Sequence, residues 1–209
     1  TEGPIGKGLL KKLDSKGMIG PAYWNSGFKI MSANKALKMP TDFAGLNMRV
    51  HSSKVLSLQM EALGAAPQIL EAHEVYPALQ VHAIDGTEST PASFVGRKWY
   101  EVQKHVTISN HGYVGSAVVV NKKFWEGLPS DLRNVIEVAM REATTYGNTL
   151  AEQENAAALE RIKKMKKLSV YTLTEKDTAA WRQALLPVQK ELEARIGKAI
   201  VFAVTRDPD

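Results

Sequence analysis

The chain has 209 residues, 44% of them hydrophobic and 23% charged, with a formal net charge of +5, the profile of a globular protein with one large domain or two small lobes. It has no cysteine, which excludes disulfides and thiolate metal sites. Its lysines are scattered without interleaved aromatics, so nucleic acid is not an expected partner, and no apolar run approaches the roughly 20 residues that span a bilayer.

In chain order, Thr1 to Pro4 lead straight into a helical segment, Ile5 to Lys16, with Ile5, Leu9, Leu10 and Leu13 on one face and Gly17 as its stop. Ile19 to Met31 reads as two short strands with a turn at Asn25, Ser26 and Gly27; Lys29 falls in the second. Leu46 to Val50 is a short apolar strand that ends at His51, Ser52 and Ser53. A helix follows from Lys54 to Leu63, with Val55, Leu58 and Ala62 on one face and Gly64 as its C-terminal stop. Further on come a strand at Pro67 to Leu70, a short helix at Glu74 to Val81, and a strand at Ala83 and Ile84 that runs into a loop from Asp85 to Ser89. The alternation predicts an α/β lobe with a parallel sheet, and ligands of such sheets sit at the carboxyl ends of the strands.

Strands are expected at Val106 to Ser109 and Ser116 to Val120, then a helical turn at Lys122 to Gly127. Ser130 is expected to cap a long helix reaching about Lys167, with Leu132, Val135, Ile136, Ala139 and Met140 in its apolar stripe. Such a length suits a helix that crosses between lobes or breaks near Gly147. The lysines from Lys163 to Lys167 read as a solvated helix end. A strand at Val170 to Leu173 precedes a last helix capped by Thr174, whose apolar face carries Trp181, Leu185, Val188 and Leu192.

Arg49 is the residue with the clearest chemistry. A guanidinium at a strand-to-helix junction grips both oxygens of a carboxylate, and helix-start N–H groups favour the same charge. The competing reading pairs Arg49 with a structural carboxylate of the chain. Catalytic patterns are absent. The histidines at 51, 73, 82, 105 and 111 form no metal-binding pair, and there is no phosphate loop, nucleophile elbow or dinucleotide fingerprint. A triad of Ser52, His51 and Asp85 is disfavoured because adjacent strand residues face opposite sides. Ser52 and Ser53 read instead as capping or ligand-bonding residues. Tyr113, between Gly112 and Gly115, reads as a pocket wall or a tight core crossover.

Several segments together carry a resemblance: Gly45 to Val50, Leu63 to Ala65, Glu74 to Tyr76, Ala78 to Gln80, Asp85 to Glu88, Trp99 to Lys104, Asn110 to Tyr113 and Lys123 to Pro129. In order and spacing the chain resembles the solute-binding proteins of tripartite ATP-independent periplasmic (TRAP) transporters, of the dicarboxylate-binding type. The resemblance implies a two-lobed α/β fold of the periplasmic-binding-protein kind, with mixed sheets and a long helix crossing the lobes. Relative to the family, much of the first lobe precedes the point where this sequence starts. The implied division is a first-lobe remnant and crossover at 1–26, a second α/β lobe at 27–114, the returning strand and long helix at 115–154, and C-terminal helices at 155–209. Exposed sheet edges in such a chain would favour a homodimer.

By the same resemblance the protein is not an enzyme, needs no cofactor and no metal, and works in the periplasm. It captures a small organic acid, a C4-dicarboxylate as first choice, and delivers it to a TRAP membrane permease; the alternative is a ligand-sensing or scaffold module without transport. Arg49 takes the place of the family's ligand arginine, and Lys29 that of a second basic residue. Ser89 stands where asparagine is usual after Glu88. Ala72 and His73 replace a phenylalanine and a serine, so His73 becomes either a polar group near the ligand or a solvent-side helix cap. The implied ligand set is Arg49, Lys29, Ser89, Ser52, Ser53, Glu88, Tyr113 and His73.

Overall fold

A computed structural model describes residues 3–206; Thr1, Glu2 and the last three residues lie outside the described part. The first helix, α1 (Pro4–Lys11), continues as a 3₁₀ turn to Lys16 and stops at Gly17, which takes a left-handed φ of 72°. The strands β1 (Met18–Phe28) and β2 (Ile30–Ala33) follow, separated by Lys29 alone. Then come β3 (Asn47–Val50), α2 (Lys54–Ala62), β4 (Ala66–Ile69), α3 (Val75–Gln80), β5 (Gly86–Ser89) and α4 (Pro91–Gly96). The rest of the chain forms β6 (His105–Ile108), β7 (Tyr113–Asn121), α5 (Lys122–Gly127), α6 (Ser130–Lys164), β8 (Ser169–Thr172), α7 (Glu175–Ile196) and α8 (Lys198–Arg206).

Two sheets result: a two-stranded antiparallel ribbon of β1 and β7, and a six-stranded sheet in the order β4-β3-β5-β2-β6-β8. In the larger sheet β3 is parallel to β4 and β5, β6 is parallel to β8, and β2 is antiparallel to both its neighbours. The parallel sheet expected from the sequence is therefore a mixed one. Both faces of β2 are buried, as suits a central strand. Ile30 packs with Val75 of α3, Phe94 of α4, and Ile162 of α6. Met31 and Ala33 point the other way, to Met60 of α2 and Trp181 of α7. Each Ile, Val, Met or Phe side chain buried this fully contributes about 1.5–3 kcal/mol relative to exposure.

Several expected elements differ. There is no turn at Asn25–Gly27. β1 runs through it, and a β-bulge shifts the register between Asn25 and Gly27. Gly27 has a φ of 93° and no room for a side chain against Asn155. The residues that suggested a turn are the ones a bulge also needs. No strand forms at Ala83 and Ile84. The strand is β5, in the segment read as a loop, and Gly86 begins it because a Cβ there would strike the Ser32 carbonyl oxygen. In α2 the core-facing residues are Leu56, Met60 and Leu63, not Val55, Leu58 and Ala62.

The long helix α6 is unbroken at Gly147 and has 35 residues. Pro129 holds its cap position without a side-chain bond, so Ser130 is the first helical residue rather than the cap. Its C-terminal half is packed, with Ala158 and Ile162 buried. Two asparagines seven residues apart fasten it to β1. The Asn148 Oδ1 accepts the Asn25 N–H at 2.8 Å and its Nδ2 donates to the Tyr23 carbonyl; the Asn155 Nδ2 donates to the Ser26 carbonyl at 2.9 Å. Its N-terminal half keeps Leu132, Val135 and Ile136 exposed. Thr174 caps α7 as expected, in a reciprocal box with Asp177, but α7 is not the last helix, since α8 follows Gly197. No helix among the described residues is long and apolar enough to cross a membrane.

Candidate ligand-binding site

The strand directions gather the chemistry at one edge of the six-stranded sheet. The carboxyl ends of β3, β5 and β6 lie there with the start of β2. So Arg49, Glu88, Lys29 and the segment after Ile108 converge although they are scattered in the sequence. Their edge opens on a cavity of about 350 Å³ lined by Lys29, Arg49, His51, Glu88, Ser89, Thr90, Ser93, Arg97, Trp99 and Tyr113, among others.

Arg49 occupies the third position of β3, in register with Gln68 on one side and Thr87 on the other. It is 1% exposed. Its Nε donates to the Leu70 carbonyl at 2.9 Å, and its Nη2 lies 3.3 Å from the His51 Nδ1. Among the described residues no carboxylate forms a salt bridge with it. Burial therefore lowers its affinity for its proton, a loss only partly offset by the more distant Glu88 and Glu71. His51 is held below its ordinary value, first by desolvation and then by the charges of Arg49 and Lys29. It is neutral at pH 7, and its Nδ1 accepts from the guanidinium. Backbone and neutral partners thus orient the cation without neutralising it.

Lys29 has a different environment. Its Nζ forms a buried salt bridge with the Glu88 Oε1, and its backbone N–H donates to the Gly112 carbonyl at 2.8 Å. The other carboxylate oxygen of Glu88 accepts from the His111 Nε2 at 3.0 Å, and the His111 Nδ1 lies 2.7 Å from the Ser109 hydroxyl. Burial pushes Glu88 upward, but the His111 hydrogen bond and the Lys29 charge outweigh it and hold the carboxyl below its usual range. Lys29 is the single residue between β1 and β2, and His111 lies between β6 and β7. Glu88 therefore ties together two of the segments by which the chain passes between its sheets.

Of the residues singled out in the sequence, Arg49, Lys29, Glu88, Ser89 and Tyr113 line the cavity. Ser52, Ser53 and His73 do not. Ser53 is at the cap position of α2 but its side chain makes no capping bond, and His73 is exposed ahead of α3, where Glu74 holds the cap position. Asp85 accepts from the Asn47 N–H at 2.7 Å, at the opposite end of β3 from His51, which removes the geometric basis for a triad.

The sequence reading missed His111 and Arg97. His111 gave a signal, since it stands in a segment that carried the resemblance, but its partner is 23 residues away. Arg97 gave none.

The match to known proteins covers nearly the whole chain. Residues 1–195 match the family described as bacterial extracellular solute-binding protein, family 7 (DctP). The chain belongs to this family. A C4-dicarboxylate-binding periplasmic protein, DctP, of Rhodobacter capsulatus is 52% identical over 204 residues, which are 98% of this chain and 61% of that protein. A TRAP periplasmic solute-binding protein of Shewanella oneidensis, solved with bound succinate, superposes with a TM-score of 0.91 at 37% identity, over 97% of this chain and 66% of that one. One from Pseudomonas aeruginosa, with bound L-malate, gives 0.83 at 33% identity, over 91% and 66%. The chain spans about three fifths of the length of the curated relatives it matches. The expected fold class, a two-lobed α/β fold with mixed sheets, agrees with the DctP-family structures.

Proposed function

We propose that this DctP-family chain captures a small organic acid in the periplasm, a C4-dicarboxylate first of all, and delivers it to a TRAP-type membrane permease. The observation that carries the reading is Arg49, a buried guanidinium with no carboxylate partner among the described residues, fixed at the edge of a cavity. A buried, unpaired charge is unfavourable until an anion compensates it. A ligand carboxylate would accept from the planar fork while Leu70 and His51 keep it aimed. Binding of succinate and L-malate by related proteins supports the class of ligand.

The test is calorimetric titration with succinate at pH 7. Arg49→Ala is expected to weaken binding at least about 100-fold, the upper range for hydrogen bonds to a charged group, while the circular dichroism spectrum stays unchanged. Equal affinity in the variant would remove Arg49 from the site. Succinate uptake that continues in cells lacking the permease would remove the transport role.

A further inference from the structure

The cations of the cavity are not equivalent. Among the described residues three line it, Lys29, Arg49 and Arg97, against one carboxylate, Glu88. Lys29 is bound to Glu88, so the site keeps an excess of two positive charges, both guanidinium groups. Arg97 makes no salt bridge among the described residues. Its backbone is nonetheless anchored. It is the C-cap residue of α4, its N–H bonded to the Ser93 carbonyl at 3.0 Å, and α4 is tied to α6 where the Ala92 N–H donates to the Asn155 Oδ1 at 3.1 Å. The Arg97 charge also reaches Arg49, which it makes harder to protonate. Two like charges facing one small cavity repel when it is empty, and a single carboxylate would relieve only one of them.

We propose that Arg97 is the specificity residue of this site: it holds the second carboxylate of a short diacid whose first carboxylate is held by Arg49. This rests on the carboxylate reading above and names the residue that reads the second charge of a dianion. The resemblance placed Lys29 in the ligand set as a second basic residue, but Glu88 already neutralises its charge. Recognition is graded by environment: Arg49, buried, supplies most of the affinity, and exposed Arg97 supplies discrimination.

The test compares succinate with succinamate, which has the same carbon chain but a neutral amide in place of one carboxylate. Both are titrated into wild type, Arg97→Gln, Arg97→Lys and Arg49→Ala at pH 7. Wild type is expected to favour succinate about 10- to 100-fold, the range for a charged hydrogen-bond partner. Arg97→Gln should close that gap by weakening succinate alone, and Arg97→Lys should keep part of it; Arg49→Ala should lose both ligands. A wild type without preference overturns the role of Arg97, as does Arg97→Gln that keeps the preference or weakens both ligands equally; the carboxylate reading survives each of these. A wild type that binds neither ligand overturns the carboxylate reading and the Arg97 proposal together.

Discussion

Two buried ionic sites lie side by side at the same sheet edge and have opposite designs. At Lys29, Glu88 and His111 every charge has a partner inside the protein. At Arg49 the nearest bonded groups are a carbonyl and a neutral imidazole. The first arrangement is complete as it stands and acts on the protein itself. The second is incomplete, and under the proposed function its free energy would fall when an anion arrives. Position in the sheet does not distinguish the two cations; the presence of an internal counter-charge does.

The largest effect is expected from breaking the complete site. Glu88→Ala leaves Lys29 and His111 buried without their anion and should lower stability by about 3–5 kcal/mol, read as a lower urea midpoint. Next, Arg49→Lys keeps the charge but loses the Nε bond to Leu70 and the planar fork. Succinate affinity should drop about 10- to 100-fold, with the urea midpoint almost unmoved. If instead stability falls and binding holds, the two sites have been assigned the wrong way round.

A pH titration of stability sharpens the contrast further. The folded Glu88 carboxyl lies below its ordinary value of 4.5. Its stabilisation is therefore present above that value and lost as pH falls through the depressed one. Glu88→Gln should remove this part of the acid dependence, and an unchanged acid limb would show that Glu88 is not held by its partners. The smallest effect is expected at the exposed pair of Lys163 and Glu160, 2.8 Å apart on α6. Lys163→Ala should not shift the urea midpoint measurably, because solvent and salt screen such pairs.

What could be read from the sequence followed how local each signal is. The stop of α2 at Gly64, the cap of α7 at Thr174 and its stripe of Trp181 and Val188 depend on neighbours within a turn or two, and they were legible. The strand β5 was not, because Thr87 and Glu88 are polar residues in a buried strand. Their burial is made possible by partners far along the chain, so the segment looked like a loop. The bulge at Gly27 failed for a related reason: a turn and a bulge use the same residues, and only Asn155, more than a hundred positions later, decides between them. Arg49 was legible because a lone arginine in an apolar strand needs an explanation wherever it occurs. Arg97, exposed at the end of a short helix, needs none until the cavity beside it is seen.

The fastening of α6 at Asn155 has a mechanical consequence. From Asn155 back to Ser130 the helix runs for about 38 Å at about 1.5 Å per residue. The same side chain is bonded to β1 and to α4, the helix that carries Arg97. Asn155 thus joins the ribbon, the long helix and the helix that leads to Arg97 through one side chain, so a displacement of any one of them is passed to the other two.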